Sequence, residues 1–216
     1  MLIAFWSAKG GSGTTVVATA MALVLARRSP VMIADLAGDV PAVLGLPGAD
    51  GPGLMDWIAA PDVGAEGLAR LETEAAPGVR LLPRGHTEPD PAPGGNDLPA
   101  ALAARAGVVV ADCGLLGQHD TPASRVARRA TLSLLVIRPC FLALRRAAAI
   151  GVRPSAAVVV AEPKRCLHAR DVTAVLHVPV VAVVPFEPAV ARAVDTGALA
   201  RRVPVALAAP LGRVLR

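Results

Sequence analysis

The sequence predicts an α/β protein with a mostly parallel sheet of seven or eight strands, covered by helices on both faces. Three observations predict it. Short runs of β-forming residues alternate with longer stretches rich in alanine and leucine, the pattern of repeated β-α units. The runs are continuously apolar instead of alternating in and out, as expected of strands buried on both faces. The first run also leads through a glycine-rich turn into a long apolar stretch.

Taken in order, strands are expected at Leu2–Trp6, Val31–Asp35, Val79–Pro83, Val108–Asp112, Leu132–Ile137, Ala156–Ala161 and Val180–Val184. A helix should begin near Thr14, immediately after the glycines. Arg84 to Asp97, crowded with proline, glycine and acidic residues, reads as an exposed loop before a helix starting near Leu98. Arg138-Pro139-Cys140 follows a strand and should start another helix, with proline at an early helical position. The 216 residues suit one domain spanning 1–216.

Composition narrows the function classes. Apolar residues make up 54% of the chain and charged ones 18%, which excludes a disordered protein. Cys113, Cys140 and Cys166 are far apart and form neither a zinc motif nor a disulfide framework, so a cytoplasmic location is expected. The longest apolar stretch, Val16 to Ala26, ends at Arg27-Arg28 and is too short for a membrane span of about 20 residues. No secretory leader and no stable membrane insertion are expected. Net charge is +5, yet lysine occurs only at Lys9 and Lys164. The arginine pairs at 27–28, 128–129, 145–146 and 201–202 are scattered and read chiefly as solvated helix faces and ends, with weak, salt-sensitive DNA binding as the alternative.

The glycine-rich turn is Lys9-Gly10-Gly11-Ser12-Gly13-Thr14-Thr15. Between a strand and a helix, the backbone N–H groups of such a turn form a nest for phosphate oxygens at the positive end of the helix. Thr15 stands where a hydroxyl normally joins the magnesium shell of a nucleoside triphosphate. The preceding position, normally a lysine reaching the β and γ phosphates, is Thr14. ATP with Mg2+ is the expected ligand.

This loop resembles the deviant Walker A motif, K-G-G-x-G-K-[ST], of the ParA/MinD superfamily of partitioning and positioning ATPases, and the resemblance extends over nearly the whole chain. It implies a P-loop NTPase-like sandwich and an ATP-dependent homodimer in which Lys9 reaches the partner's nucleotide. The missing later lysine resembles the atypical loops of the CpaE/TadZ branch, associated with pilus assembly and polar localisation. Asp35 resembles the acid that positions or activates the attacking water, and Ala37 stands where a second acid is common. Asp39, four residues on, has the D-x-x-x-D spacing of the nitrogenase iron protein branch. Two readings of Asp39 stand at this point, a switch acid or a cap on the following helix.

Asp112, at the end of the Val108–Asp112 run, resembles a Walker B acid, which makes Thr15, Asp35 and Asp112 the expected metal residues. Glu162-Pro163 and Pro185-Phe186 resemble the base-binding loops of the family, although its usual asparagine is absent. The resemblance thus implies catalytic roles for Lys9, Asp35 and Asp39, and nucleotide contacts from residues 9–15, Glu162, Pro163, Pro185 and Phe186. Two functions follow. One is a dimerising positioning ATPase with slow hydrolysis, and the other a non-hydrolysing ATP-sensing scaffold that recruits a protein partner of a positioning, pilus or secretion system.

Overall fold

The computed structural model describes residues 1–48, 50–87 and 95–215. One eight-stranded sheet runs through it in the order β3-β4-β2-β5-β1-β6-β7-β8. The strands are β1 (Leu2–Ser7), β2 (Val31–Asp35), β3 (Thr73–Ala76), β4 (Val79–Leu82), β5 (Val108–Leu115), β6 (Leu132–Ile137), β7 (Ala156–Ala161) and β8 (Val180–Pro185). Every neighbouring pair is parallel except β3 and β4. The seven expected strands are all present, β2, β6 and β7 with the expected bounds and the others with a C-terminal end displaced by one to three residues.

The unexpected strand is β3, whose Thr73-Glu74-Ala75-Ala76 has little β propensity and a half-exposed burial pattern. It forms because Pro77-Gly78 turns the chain back onto β4, with Gly78 at φ 76°. An antiparallel hairpin at the sheet edge needs no continuous apolar run.

Alternation along β1 shows how the two cores are divided. Leu2, Ala4 and Trp6 enter one apolar layer while Ile3 and Phe5 enter the other. The first layer is closed by α3 (Leu54–Ile58), α4 (Ala65–Arg70), α5 (Leu98–Ala103), α6 (Pro122–Arg129), α7 (Phe141–Ala149) and α8 (Ala169–Leu176). The second is closed by α1 (Thr14–Ala26), α2 (Val40–Leu44), α9 (Pro188–Asp195) and α10 (Val205–Leu211). α1 is apolar all round because the sheet, α2 and α10 all pack on it. Each of its buried Val17, Met21 and Leu23 side chains contributes roughly 1.5–3 kcal/mol of apolar transfer. Among the described residues no helix is long and apolar enough to cross a membrane.

Two local expectations are corrected. Pro139 precedes α7 instead of lying in its first turn, and Cys140 occupies the N-cap, its Sγ accepting from the Ala143 N–H at 3.4 Å. The Arg84 to Asp97 loop is more tied down at its ends than its composition suggests. Asn96 Nδ2 donates to the carbonyls of Trp57, Ala60 and Val63, and Asp97 caps α5 by accepting from Ala100 N. Residues 88–94 of this expected loop lie outside the described residues.

Candidate nucleotide site

The parallel strands bring β1, β2 and β5 side by side, so their carboxyl ends share one edge of the sheet, where open α/β folds bind ligands. β1 is fixed there by Trp6, whose Nε1 donates to Ser133 Oγ at 3.0 Å. The chain then turns through Lys9–Gly13 into α1, with Gly11 at φ 73° and Gly13 at φ 84°. This left-handed backbone strongly favours glycine at both positions. Ser12 Oγ donates to Lys9 O at 2.7 Å and braces the turn. Gly13 is the N-cap of α1 and supplies no side-chain acceptor, which leaves the first N–H groups of the helix available to an anion. A Cβ added at Gly10, Gly11 or Gly13 would meet nothing within 4 Å, so the cradle faces open space.

The loop is the common wall of two cavities. A cleft of about 590 Å³ lies between residues 10–16, the segment after β2 (Leu36, Ala37, Asp39), Arg84 and the last residues of β5 (Cys113, Gly114, Leu115). A smaller pocket of about 190 Å³ lies on the other side, lined by Gly11, Ser12, Gly13, Val16 and Val17 together with Val160, Val184, Pro185, Phe186 and Val190. The pairing of a glycine-lined cleft with a more apolar pocket suits a ligand with a phosphate chain at one end and a flat apolar ring at the other.

Asp35, at the end of β2, and Asp112, three residues before the end of β5, are register partners, and both are fully buried. Asp35 is consumed by its own loop. Its Oδ1 accepts from Ala37 N (3.1 Å) and Gly38 N (2.6 Å), and its Oδ2 from Val40 N (3.0 Å). Burial raises its pKa above the usual carboxylate range, against the pull of those three N–H groups. It therefore caps α2 from five residues upstream. Asp39 occupies the N-cap position without a side-chain cap bond, and it is exposed on the wall of the large cleft. The helix-cap reading of Asp39 is thereby replaced, because Asp35 does that work.

Asp112 differs. Gly114 N donates to Oδ1 at 3.1 Å, while Oδ2 has no hydrogen-bond partner among the described residues. Burial pushes this carboxyl up to about 7, against the Thr15 hydroxyl, which lowers it, and with Asp35 adding to the rise. A buried carboxylate oxygen without a partner beside the Thr15 hydroxyl fits a divalent cation at the mouth of the phosphate loop.

The four expected base contacts divide. Pro185 and Phe186 line the small pocket, whereas Glu162 and Pro163 do not. Glu162 is held by Arg138 and, at 2.5 Å, by Arg165. Lys9 is half-buried and does not line the cleft of its own chain. Two residues escaped the sequence reading of the site. Arg138 donates to Gly11 O at 2.9 Å and lies 4.8 Å from the centroid of the Phe186 ring, which joins the phosphate loop to the apolar pocket. Its place directly after a strand that neighbours β1 was the available signal. Arg84 could not be found in this way, because only the β2–β4 pairing brings the end of β4 to the cleft.

No protein-family model matches the chain, and no curated protein matches it. Solved structures do. A ParA family ATPase from Chlorobium tepidum TLS superposes with a TM-score of 0.73 at 18% identity, over 98% of this chain and 96% of the other. The septum site-determining protein MinD from Pyrococcus horikoshii OT3, complexed with Mg-ADP, gives 0.75 at 19%, over 99% and 93%. The Aquifex aeolicus MinC:MinD cell division protein complex gives 0.74 at 17%, over 100% and 94%. The chain therefore has the single-domain α/β fold of the ParA- and MinD-type P-loop ATPases.

Proposed function

We propose that this protein binds Mg·ATP and dimerises on it, acting as a ParA/MinD-like positioning switch with slow hydrolysis. The observation that carries this reading is the phosphate loop standing as the shared wall of the glycine-lined cleft and the more apolar pocket. Residues 10–15 hold the phosphates, Pro185 and Phe186 flank the base, and Thr15 with Asp112 hold Mg2+, which neutralises phosphate charge when bound. Asp35 keeps the segment after β2 in shape, and Asp39 is the acid facing the cleft.

A dimer is supported by what surrounds the cleft. Leu115, on its wall, is 59% exposed, and Phe141, after β6 on the same sheet edge, is 75% exposed. Apolar side chains left open there suit burial against a second copy. Lys9, absent from its own cleft, is free to serve the partner's nucleotide across that interface.

The protein partner expected of a positioning system is favoured over non-specific DNA. Arg125 and Arg128 share Asp120, and Arg129 pairs with Asp97, so the arginine-rich α6 presents less net positive charge than its sequence suggests. The non-hydrolysing scaffold is the second reading, and the engagement of both Asp35 oxygens by backbone N–H groups favours it. A cytoplasmic site of action fits either.

Sedimentation velocity tests the switch. Wild type is expected to pass from monomer to dimer on adding Mg·ATP. Lys9→Ala should stay monomeric while its ATP affinity changes by less than about threefold, since it loses only a contact to the other subunit. Equal dimerisation of both proteins, or none in the wild type, would refute the proposed role of Lys9.

A further inference from the structure

The phosphate loop lacks a cation at Thr14, yet the cleft does not. Among the described residues lining it, Arg84 is the only basic one. It comes from the segment after β4, which pairs with β2 and so ends beside the Asp35–Asp39 segment. The Arg84 stem runs along that segment, since a Cβ built at Gly38 would lie 3.3 Å from Arg84 Cδ.

The backbone carrying Arg84 is held from both sides. Leu54 N donates to Pro83 O at 2.8 Å and Met55 N to Arg84 O at 2.9 Å, so the first turn of α3 grips both residues. Asp56 completes the clasp, accepting from Gly53 N (2.7 Å), His86 N (3.2 Å), Thr87 N (3.2 Å) and the Thr87 hydroxyl. The fit needs glycine on both sides, because a Cβ at Gly85 would fall 1.9 Å from Asp56 Oδ2 and one at Gly53 2.3 Å from Pro83 O. α3 is itself anchored by buried Leu54, Met55 and Trp57. These contacts fix the backbone from which the Arg84 side chain reaches along the cleft wall.

We propose that Arg84 supplies the phosphate-facing cation that the loop lacks at Thr14, reading the terminal phosphate of the nucleotide from the β4 side of the cleft. This rests on the Mg·ATP reading above. Because Arg84 enters the cleft from the β4 side, along the Asp35–Asp39 segment and not through α1, it discriminates ATP from ADP more than it strengthens binding of the shared phosphates.

The test compares ATP with ADP affinity, both with magnesium, in wild type, Arg84→Gln, Arg84→Lys and the double variant Arg84→Gln/Thr14→Lys. A ratio taken within one protein does not depend on how much of that variant is folded. Arg84→Gln should lower ATP affinity about 10- to 100-fold, the range of a lost charged hydrogen bond, and ADP affinity by less than about threefold. Arg84→Lys should keep most of the preference, and Thr14→Lys should restore it in the glutamine background by returning a cation from the other wall. An unchanged ATP-to-ADP ratio in Arg84→Gln overturns the assignment and leaves nucleotide binding standing. Failure of the wild type to bind either nucleotide overturns both.

Discussion

Thr14→Lys is expected to raise the rate of ATP hydrolysis about 10²- to 10³-fold, because it returns a preorganised cation to the position next to Thr15. The wild-type rate should lie well below the enzyme range of about 1–10³ s⁻¹. Three features lead to this expectation. Thr14 offers no charge, Ala37 offers no second acid, and Asp35 spends both oxygens on the N–H groups of Ala37, Gly38 and Val40. Phosphate-release kinetics on the two proteins decide the matter. A fast wild type, or a lysine variant no faster than the parent, would show that the missing cation does not limit turnover.

Asp112→Asn should make the nucleotide-free protein more stable while weakening its hold on magnesium. The buried carboxyl titrates at about 7 instead of 3.8. Between those values the folded chain keeps a proton that the unfolded chain has released, so stability falls as pH rises through this window and levels off above it. At about 1.4 kcal/mol per pH unit the full cost is on the order of 4 kcal/mol. An asparagine amide left partly unsatisfied returns about 1–3 kcal/mol of that. A gain of roughly 2 kcal/mol remains at pH 8, or about 4–8 °C in a chain of this size. Melting curves at pH 4 and pH 8 should show the gain only at the higher pH. A gain independent of pH, or a loss at pH 8, would mean that burial does not keep the Asp112 carboxyl protonated in the free protein.

How much of this was legible in the sequence follows from what each feature depends on. The seven parallel strands are continuous apolar runs, and burial on both faces is enough to mark them. β3 is invisible by the same rule, since Glu74 and Ala75 belong to an edge hairpin fixed by the Pro77-Gly78 turn. The glycine-rich turn was readable because its geometry is local, with the end of the strand, the glycines and the start of the helix within fourteen residues. Asp112 and Asp35 could be named from their strand ends, but not told apart. Only the register that places them side by side, and the loop geometry that satisfies one and leaves an oxygen of the other bare, separates a structural acid from a candidate metal ligand. Arg84 and Arg138 depend on sheet order alone. Each follows a strand distant in sequence, and neither belongs to a local motif.

Calorimetric titration of ATP into the wild-type protein, with magnesium, with EDTA, and against Thr15→Ala, tests Mg·ATP binding by the loop. One nucleotide per chain is expected, with affinity reduced about tenfold or more when EDTA removes the metal, and no further effect of EDTA once the Thr15 hydroxyl is gone. Absence of saturable binding by any nucleoside triphosphate, or binding that neither EDTA nor Thr15→Ala alters, would contradict Mg·ATP binding by the loop.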